Sequence, residues 1–186
     1  MKYKEILRTL CVLLQVVFLA SCASTADKDE ATTPEDEYRN LMSAASYMRV
    51  LELYVAGVAH SCTDLLGQDD AIMDGISDGW KTRNREYIDA GRTLIMAQAY
   101  LNMKLRQAEL GEDKGFAVAR AEAAEFGAAI ERDSARMANA HLSGSHNDQL
   151  ESCNNFAHQV STGRYDITPR LDRYLQLQKM VQITER

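Results

Sequence analysis

Between Leu41 and Leu65 the chain sets Leu41, Ala44, Met48, Leu51, Val55, Val58, Cys62 and Leu65 at alternating spacings of three and four residues. That spacing places all eight on one stripe of a single long helix. A stripe of this length is kept from water only by other helices packed along it, because an isolated helix gains little from propensity alone. The rest of the sequence suits that demand. Only Pro34 and Pro169 interrupt 186 residues, and Ala, Leu, Glu, Gln and Arg are abundant. Neither strand-like alternation nor a long-period repeat is present. The expected fold is all-α, an up-down bundle of four helices plus a fifth C-terminal helix.

The N-terminus has a different character. Lys2, Lys4 and Arg8 precede an apolar run, Thr9 to Ala20, broken only by Thr9 and Gln15. The run is too short for a spanning helix, which needs about 20 apolar residues, and its order of charge, apolar middle and small residues reads as a secretory signal. Leu19-Ala20-Ser21-Cys22 resembles the lipobox of bacterial lipoproteins. The resemblance implies cleavage after Ser21, a thioether-linked diacylglyceryl group on Cys22 and a fatty acyl chain such as palmitate on the new amino terminus. Ala23 stands where the inner-membrane retention signal has Asp, which implies the periplasmic side of the outer membrane, with surface display as the variant. The domain plan is then 1–21 signal peptide, 22–33 lipidated cysteine and flexible tether, and 34–186 helical bundle. Residues 23–33, "ASTADKDEATT", are polar and small and as a coil would reach roughly 20 Å.

Losing residues 1–21 removes three basic residues and one acidic residue, so a formal charge of −6 becomes −8. An acidic chain lacks the basic surface that displaces counterions from phosphates, which argues against nucleic acid as a partner. The bilayer, through acylated Cys22, and an unknown envelope protein are the expected partners.

Local signals place the helices. Thr33-Pro34-Glu35-Asp36-Glu37 combines a capping hydroxyl, a proline at the first helical position and acids at the positive dipole end, and Gly67 ends that helix. A second helix is expected over Asp70–Leu110, with Met73, Trp80, Tyr87, Leu94 and Leu101 every seven residues, Ile76, Ile88, Ile95 and Leu105 beside them, and Gly75 and Gly79 weakening its first turns. The third, Asp113–Leu142, carries Phe116, Ala119, Ala123, Phe126, Ile130 and Met137 on one face. The fourth, His146–Thr162, ends at Gly163, and the fifth runs from Thr168-Pro169 to Thr184.

In an antiparallel layout the end of the first helix and the start of the fourth share a pole. Cys62 and Cys153 lie there on apolar stripes, so a disulfide between them fits the topology and the oxidising compartment that the signal implies. A redox-active pair and two free buried thiols are the alternatives, the first weakened by the lack of Cys-x-x-Cys spacing.

The sequence offers no convincing catalytic or cofactor constellation, and the chain is read as non-enzymatic. His60, His141 and His146 could gather at the Cys62 pole as metal ligands, but "HLSGSH" is a turn and no HExxH is present, so helix-end and surface roles are favoured and no metal or other cofactor is expected. Ser143 and Ser145 beside these histidines read as turn residues rather than nucleophiles. In "WKTRN", Trp80, Arg83 and Asn84 lie one turn apart and could grip a ligand carboxylate. Equally, Trp80 could fill the core, Arg83 pair with an acid and Asn84 fix helix register. Tyr54, Tyr87, Tyr165 and Tyr174 read as packing groups with a wet hydroxyl. The leading functional expectation is a membrane-anchored periplasmic lipoprotein whose noncatalytic helical domain binds or organises an envelope protein. In general architecture it is similar to the helical pilotin lipoproteins, which escort secretion-channel subunits, although no residue motif is shared with them. The alternative is a bundle that binds a small ligand or metal.

Overall fold

The computed structural model describes residues 33–67 and 70–185. The signal segment, Cys22 and nearly all of the tether lie outside the described residues. Among the described residues all regular structure is helical: α1 (Pro34–Leu66), α2 (Asp70–Arg83), α3 (Arg85–Leu110), α4 (Glu112–His141), α5 (His146–Ser161) and α6 (Tyr174–Thr184). No helix among them is long and apolar enough to cross a membrane.

α1 is the axis of the bundle and packs against each of the other five helices. Its start follows from the sequence: the Thr33 hydroxyl accepts from the Asp36 amide at 3.2 Å, and Pro34 sits at the first helical position. Gly67 ends it with φ 57°, a left-handed conformation that costs little without a Cβ. The stripe from Leu41 to Cys62 is buried, and Ala45, Tyr54 and Ala59 widen it, so α1 is enclosed on more than one side.

Two expectations need correction. The segment Asp70–Leu110 is two helices, and among the described residues the bundle therefore has six. The break falls at Asn84, with φ −107° and ψ 17°, while Gly75 and Gly79 lie within α2. The ladder is nearly unbroken there, since the Asn84 amide still donates to Trp80 O and the Ile88 amide to Asn84 O, both at 3.1 Å. The Asn84 side chain leaves the ladder: besides donating to Trp80 O, its Nδ2 donates to Asp166 and its Oδ1 accepts from the Ile167 amide, so the bend is held by a segment outside the helix. The last helix begins at Tyr174 rather than at Thr168-Pro169. Residues 168–174 instead form successive tight turns, with Leu171 N donating to Thr168 O and Tyr174 N to Leu171 O.

Cys62 and Cys153 are joined, with an S–S distance of 2.06 Å and Cα atoms 5.4 Å apart. Both are fully buried, among Val58, Phe156 and Val160 of the same core. The bond ties the last turns of α1 to the middle of α5.

Helix directions define two ends. Across the α1–α6 contact, Lys179 pairs with Glu37 and Arg173 donates to Ser43, so these helices are antiparallel. α3 and α4 form a hairpin about Gly111, held by Arg106 and Asn102 donating to Glu122. Gly115 lies so close to the Arg106 and Gln107 backbone that a Cβ there would collide with it. Burial alone would raise the Glu122 pKa, but the Arg106 and Asn102 hydrogen bonds outweigh it and leave the carboxyl below its ordinary value.

Candidate functional site

Trp80, Arg83 and Asn84 converge on a segment of the chain itself. Trp80 is fully buried, and its indole N–H donates to Tyr165 O at 3.0 Å. Arg83 holds the Asp166 carboxylate with Nε at 2.8 Å and one terminal nitrogen at 3.2 Å, and the same terminal nitrogen reaches Val160 O at 2.6 Å. Asn84, 1% exposed, donates to Asp166 Oδ1 at 3.2 Å and accepts from the Ile167 amide at 2.8 Å. Gly163, with φ 78°, turns the chain out of α5 into this grip. The three side chains therefore hold residues 165–167 much as a receptor holds an extended peptide, and a carboxylate is indeed what Arg83 binds. The groups read as a possible ligand site are occupied by Asp166 and its neighbours. Gly91, one helix further on, sits where a Cβ would meet Ala45 O and Met48 Cβ at 3.4 Å, which marks a close helix crossing.

The three histidines do not assemble. His60 and His146 are exposed, whereas His141 turns inward. Its Nδ1 lies 3.1 Å from the Tyr54 hydroxyl, and its ring meets Phe156 edge-on with centroids 5.6 Å apart. Tyr165 completes the cluster, its hydroxyl 3.3 Å from that of Tyr54. Burial, reinforced by the bond to Tyr165, raises the Tyr54 pKa well above the usual range. This hydroxyl is paired inside the protein rather than wet. Among the described residues no group of three His, Cys, Asp or Glu side chains is placed to hold an ion. Ser145 caps α5, accepting from the Asp148 amide while Asp148 accepts from the Ser145 amide at 2.8 Å, and Ser143 donates to Ala140 O. Neither serine is placed against a histidine as a nucleophile would be.

The feature that sequence reasoning missed is a groove of about 380 Å³ between α1, α3 and α4. Leu53, Ile95, Met96, Phe126 and Ile130 supply its apolar surface, and Arg49, Arg92 and Glu131 its polar edges. Met96 is 72% exposed. Both arginines converge on Glu52, whose side chain is only 7% exposed: Arg49 at 2.7 Å and Arg92 through a very short contact. A buried carboxylate on the packed face of α1 requires such partners, since an unpaired charge there would be strongly destabilising. Each guanidinium has five N–H groups, so donors remain after Glu52 is satisfied. One signal in the sequence pointed here: Glu52 interrupts the otherwise apolar or small residues of that face. Its partner Arg92, 40 residues away, could not be read from the pattern.

The expected faces of α3 and α4 are only partly covered. Tyr87 and Ile88 are buried, Leu94 and Ile95 half-buried, and Leu101 and Leu105 exposed. On α4, Ala119 and Ile130 are buried, but Phe116 and Met137 are not. No protein-family model, curated protein or solved structure matches this chain.

Proposed function

We propose that the chain is a lipoprotein anchored through Cys22 to the periplasmic side of the outer membrane, and that its helical domain is a noncatalytic docking module for another envelope protein. Pilotin-like escort of a secretion-channel subunit is the narrower form of this reading. The observation that supports it is the groove of α1, α3 and α4, where apolar side chains lie open beside two arginines gathered on one buried acid. An amphipathic helix with an apolar face and a flanking carboxylate suits such a groove: the apolar anchors fill it, and the carboxylate takes up the remaining guanidinium donors. Trp80, Arg83 and Asn84, already engaged with residues 165–167, take no part.

The test is cross-linking of the acylated full chain in intact envelopes, compared with Met96→Glu and Phe126→Ala. The expected result is an envelope protein recovered reproducibly with the natural chain and at least tenfold less with either variant. Recovery of the same proteins in the same amounts by both variants would eliminate the groove as the docking site. An unmodified Cys22 in the mature chain would remove the anchor.

A further inference from the structure

We infer that the end of the bundle carrying the α3–α4 turn lies against the bilayer surface and contacts zwitterionic lipid through its apolar side chains. This rests on the lipid-anchor reading, and its geometry comes from the helices themselves. The groove puts Arg49–Leu53 of α1 level with Arg92–Met96 of α3 and Ala123–Glu131 of α4. Some 17 residues separate Leu51 from Pro34, and about the same number separate Leu94 from Gly111 along α3 or Gly127 from Gly111 along α4. At about 1.5 Å per residue, and with Gly91 packed on Ala45 and Met48, the Gly111 turn lies at the same pole as the start of α1, at or beyond its level. Lys179 against Glu37 brings the end of α6 to the same pole.

Two further observations point to lipid. Eight of the eleven large apolar side chains exposed among the described residues lie within three helical turns of this end, including Tyr38, Leu101, Leu105, Leu110, Phe116 and Ile183. The opposite end, by contrast, presents the polar turn Ser143-Gly144-Ser145-His146. The upstream chain also joins at Thr33, on the apolar pole. Thr33 follows Cys22 by eleven positions, which as a coil would reach roughly 20 Å. An anchor at Cys22 thus holds this pole, and not the other, within reach of the headgroups, where even weak apolar contact is made at high effective concentration. Tyrosine and phenylalanine flanked by aliphatic side chains suit the water–lipid boundary. With Asp36 paired to Arg39 and Glu37 to Lys179, the first turns of α1 and α4 keep a small excess of acid, Glu35, Glu112 and Asp113 against Lys114, which favours zwitterionic over anionic lipid.

The experiment uses the acylated full chain in phosphatidylcholine nanodiscs, with its amino-terminal mass measured first. Phe116→Trp and Met137→Trp, both at exposed positions on α4, are compared for quenching by brominated phosphatidylcholine, with the Trp80 background subtracted. Quenching at position 116 at least twice that at 137, reduced when phosphatidylglycerol replaces unbrominated phosphatidylcholine at a constant fraction of brominated lipid, is the expected result. Equal quenching at the two positions, in a chain whose mass shows the acyl groups, would overturn the inference while leaving the anchor intact. Undiminished quenching in phosphatidylglycerol would overturn the preference for zwitterionic lipid. A chain without acyl mass would instead overturn the anchor and, with it, this orientation.

Discussion

Replacing Asn84 with alanine tests whether the bend between α2 and α3 is held from outside the helix. The substitution removes three hydrogen bonds of unequal worth. Ile167 N–H, now paired at 2.8 Å, would be left without its acceptor in a part-buried position, at about 1–3 kcal/mol. Trp80 O keeps the Asn84 backbone amide and Asp166 keeps Arg83, so each of the other two losses falls near the low end, about 0.5 kcal/mol. Alanine returns roughly 0.5 kcal/mol through its better helix propensity. The net loss is about 1.5–3.5 kcal/mol, or roughly 3–14 °C in Tm for a domain of this size. The assay is urea and thermal unfolding of the chain followed through Trp80. That residue is the chain's one tryptophan, and its indole donates to the same segment. A red shift of native emission should accompany the stability loss as residues 165–167 loosen. Arg83→Ala should cost less than half as much, because its side chain is 40% exposed and its ion pair is partly screened. A Tm drop below about 2 °C for Asn84→Ala with an unchanged m-value and native fluorescence would refute the reasoning, since the bend would then be intrinsic to α2 and α3.

Other changes probe different parts of the structure. Gly115→Ala forces a Cβ into the Arg106 backbone, so α3 and α4 must separate at their turn; a loss of about 1–3 kcal/mol is expected in chemical denaturation, with faster amide exchange over the hairpin. Reducing Cys62–Cys153 reopens a loop spanning 91 residues and should lower stability by about 4–5 kcal/mol on the chain-entropy account, read as a shift in urea midpoint with and without reductant. In acid, Asp36, held low chiefly by the Thr33 hydroxyl, Asp148, held low by Ser145, and Glu122 bind fewer protons folded than unfolded. Their contribution is present above their ordinary values of 3.8 to 4.5 and is lost as pH falls through the lower folded values, so the urea midpoint should decline below about pH 4.5. In alkali the sign reverses. Burial pushes the Tyr87 hydroxyl up to about 12 and Tyr54 higher still, so stability held below pH 10 should fall as pH rises through 12, with tyrosinate absorbance appearing late.

How much of this was readable beforehand depended on the range of the interaction. Caps and stops were local: Thr33-Pro34 and Gly67 bound α1 as their chemistry requires, and Ser145 opens α5 with a capping box. The disulfide was long-range yet accessible, because bundle topology reduces the search to cysteines on apolar stripes at one pole. The Asn84 break was not accessible. A strong seven-residue pattern runs straight through it, and the cause is Asp166 and Ile167, more than 80 residues further on. The "WKTRN" residue types announced a carboxylate grip without saying whose carboxylate it was, and His141 gave no sign of the Tyr54 hydroxyl that draws it inward.

Apolar periodicity was informative in another way. It predicted covered faces on α3 and α4, whereas the six helices cover only part of them: the stripe that is buried at Trp80 and Tyr87 emerges at Leu101 and Leu105. The reason is a mismatch of lengths. α6 has 11 residues against the 26 of α3, and α4 packs mainly on α1 and α3 while α5 lies over α1 and α2, so the outer faces of the two long helices outrun their neighbours. A pattern records that a face is apolar but not what lies over it. Where the chain's own helices run out, the remaining face needs a cover from outside. The groove beside Arg49 and Arg92 and the apolar pole around Gly111 are the two places where the proposed occupants, a helix and a lipid surface, are matched by a charge pattern or a chain connection. A soluble, non-acylated domain with no partner should therefore associate through these faces as its concentration rises, and Met96→Glu or Leu101→Glu should reduce that self-association in sedimentation equilibrium without lowering Tm. Strict monomer behaviour of the natural domain at high concentration would show that these faces tolerate water and need no cover.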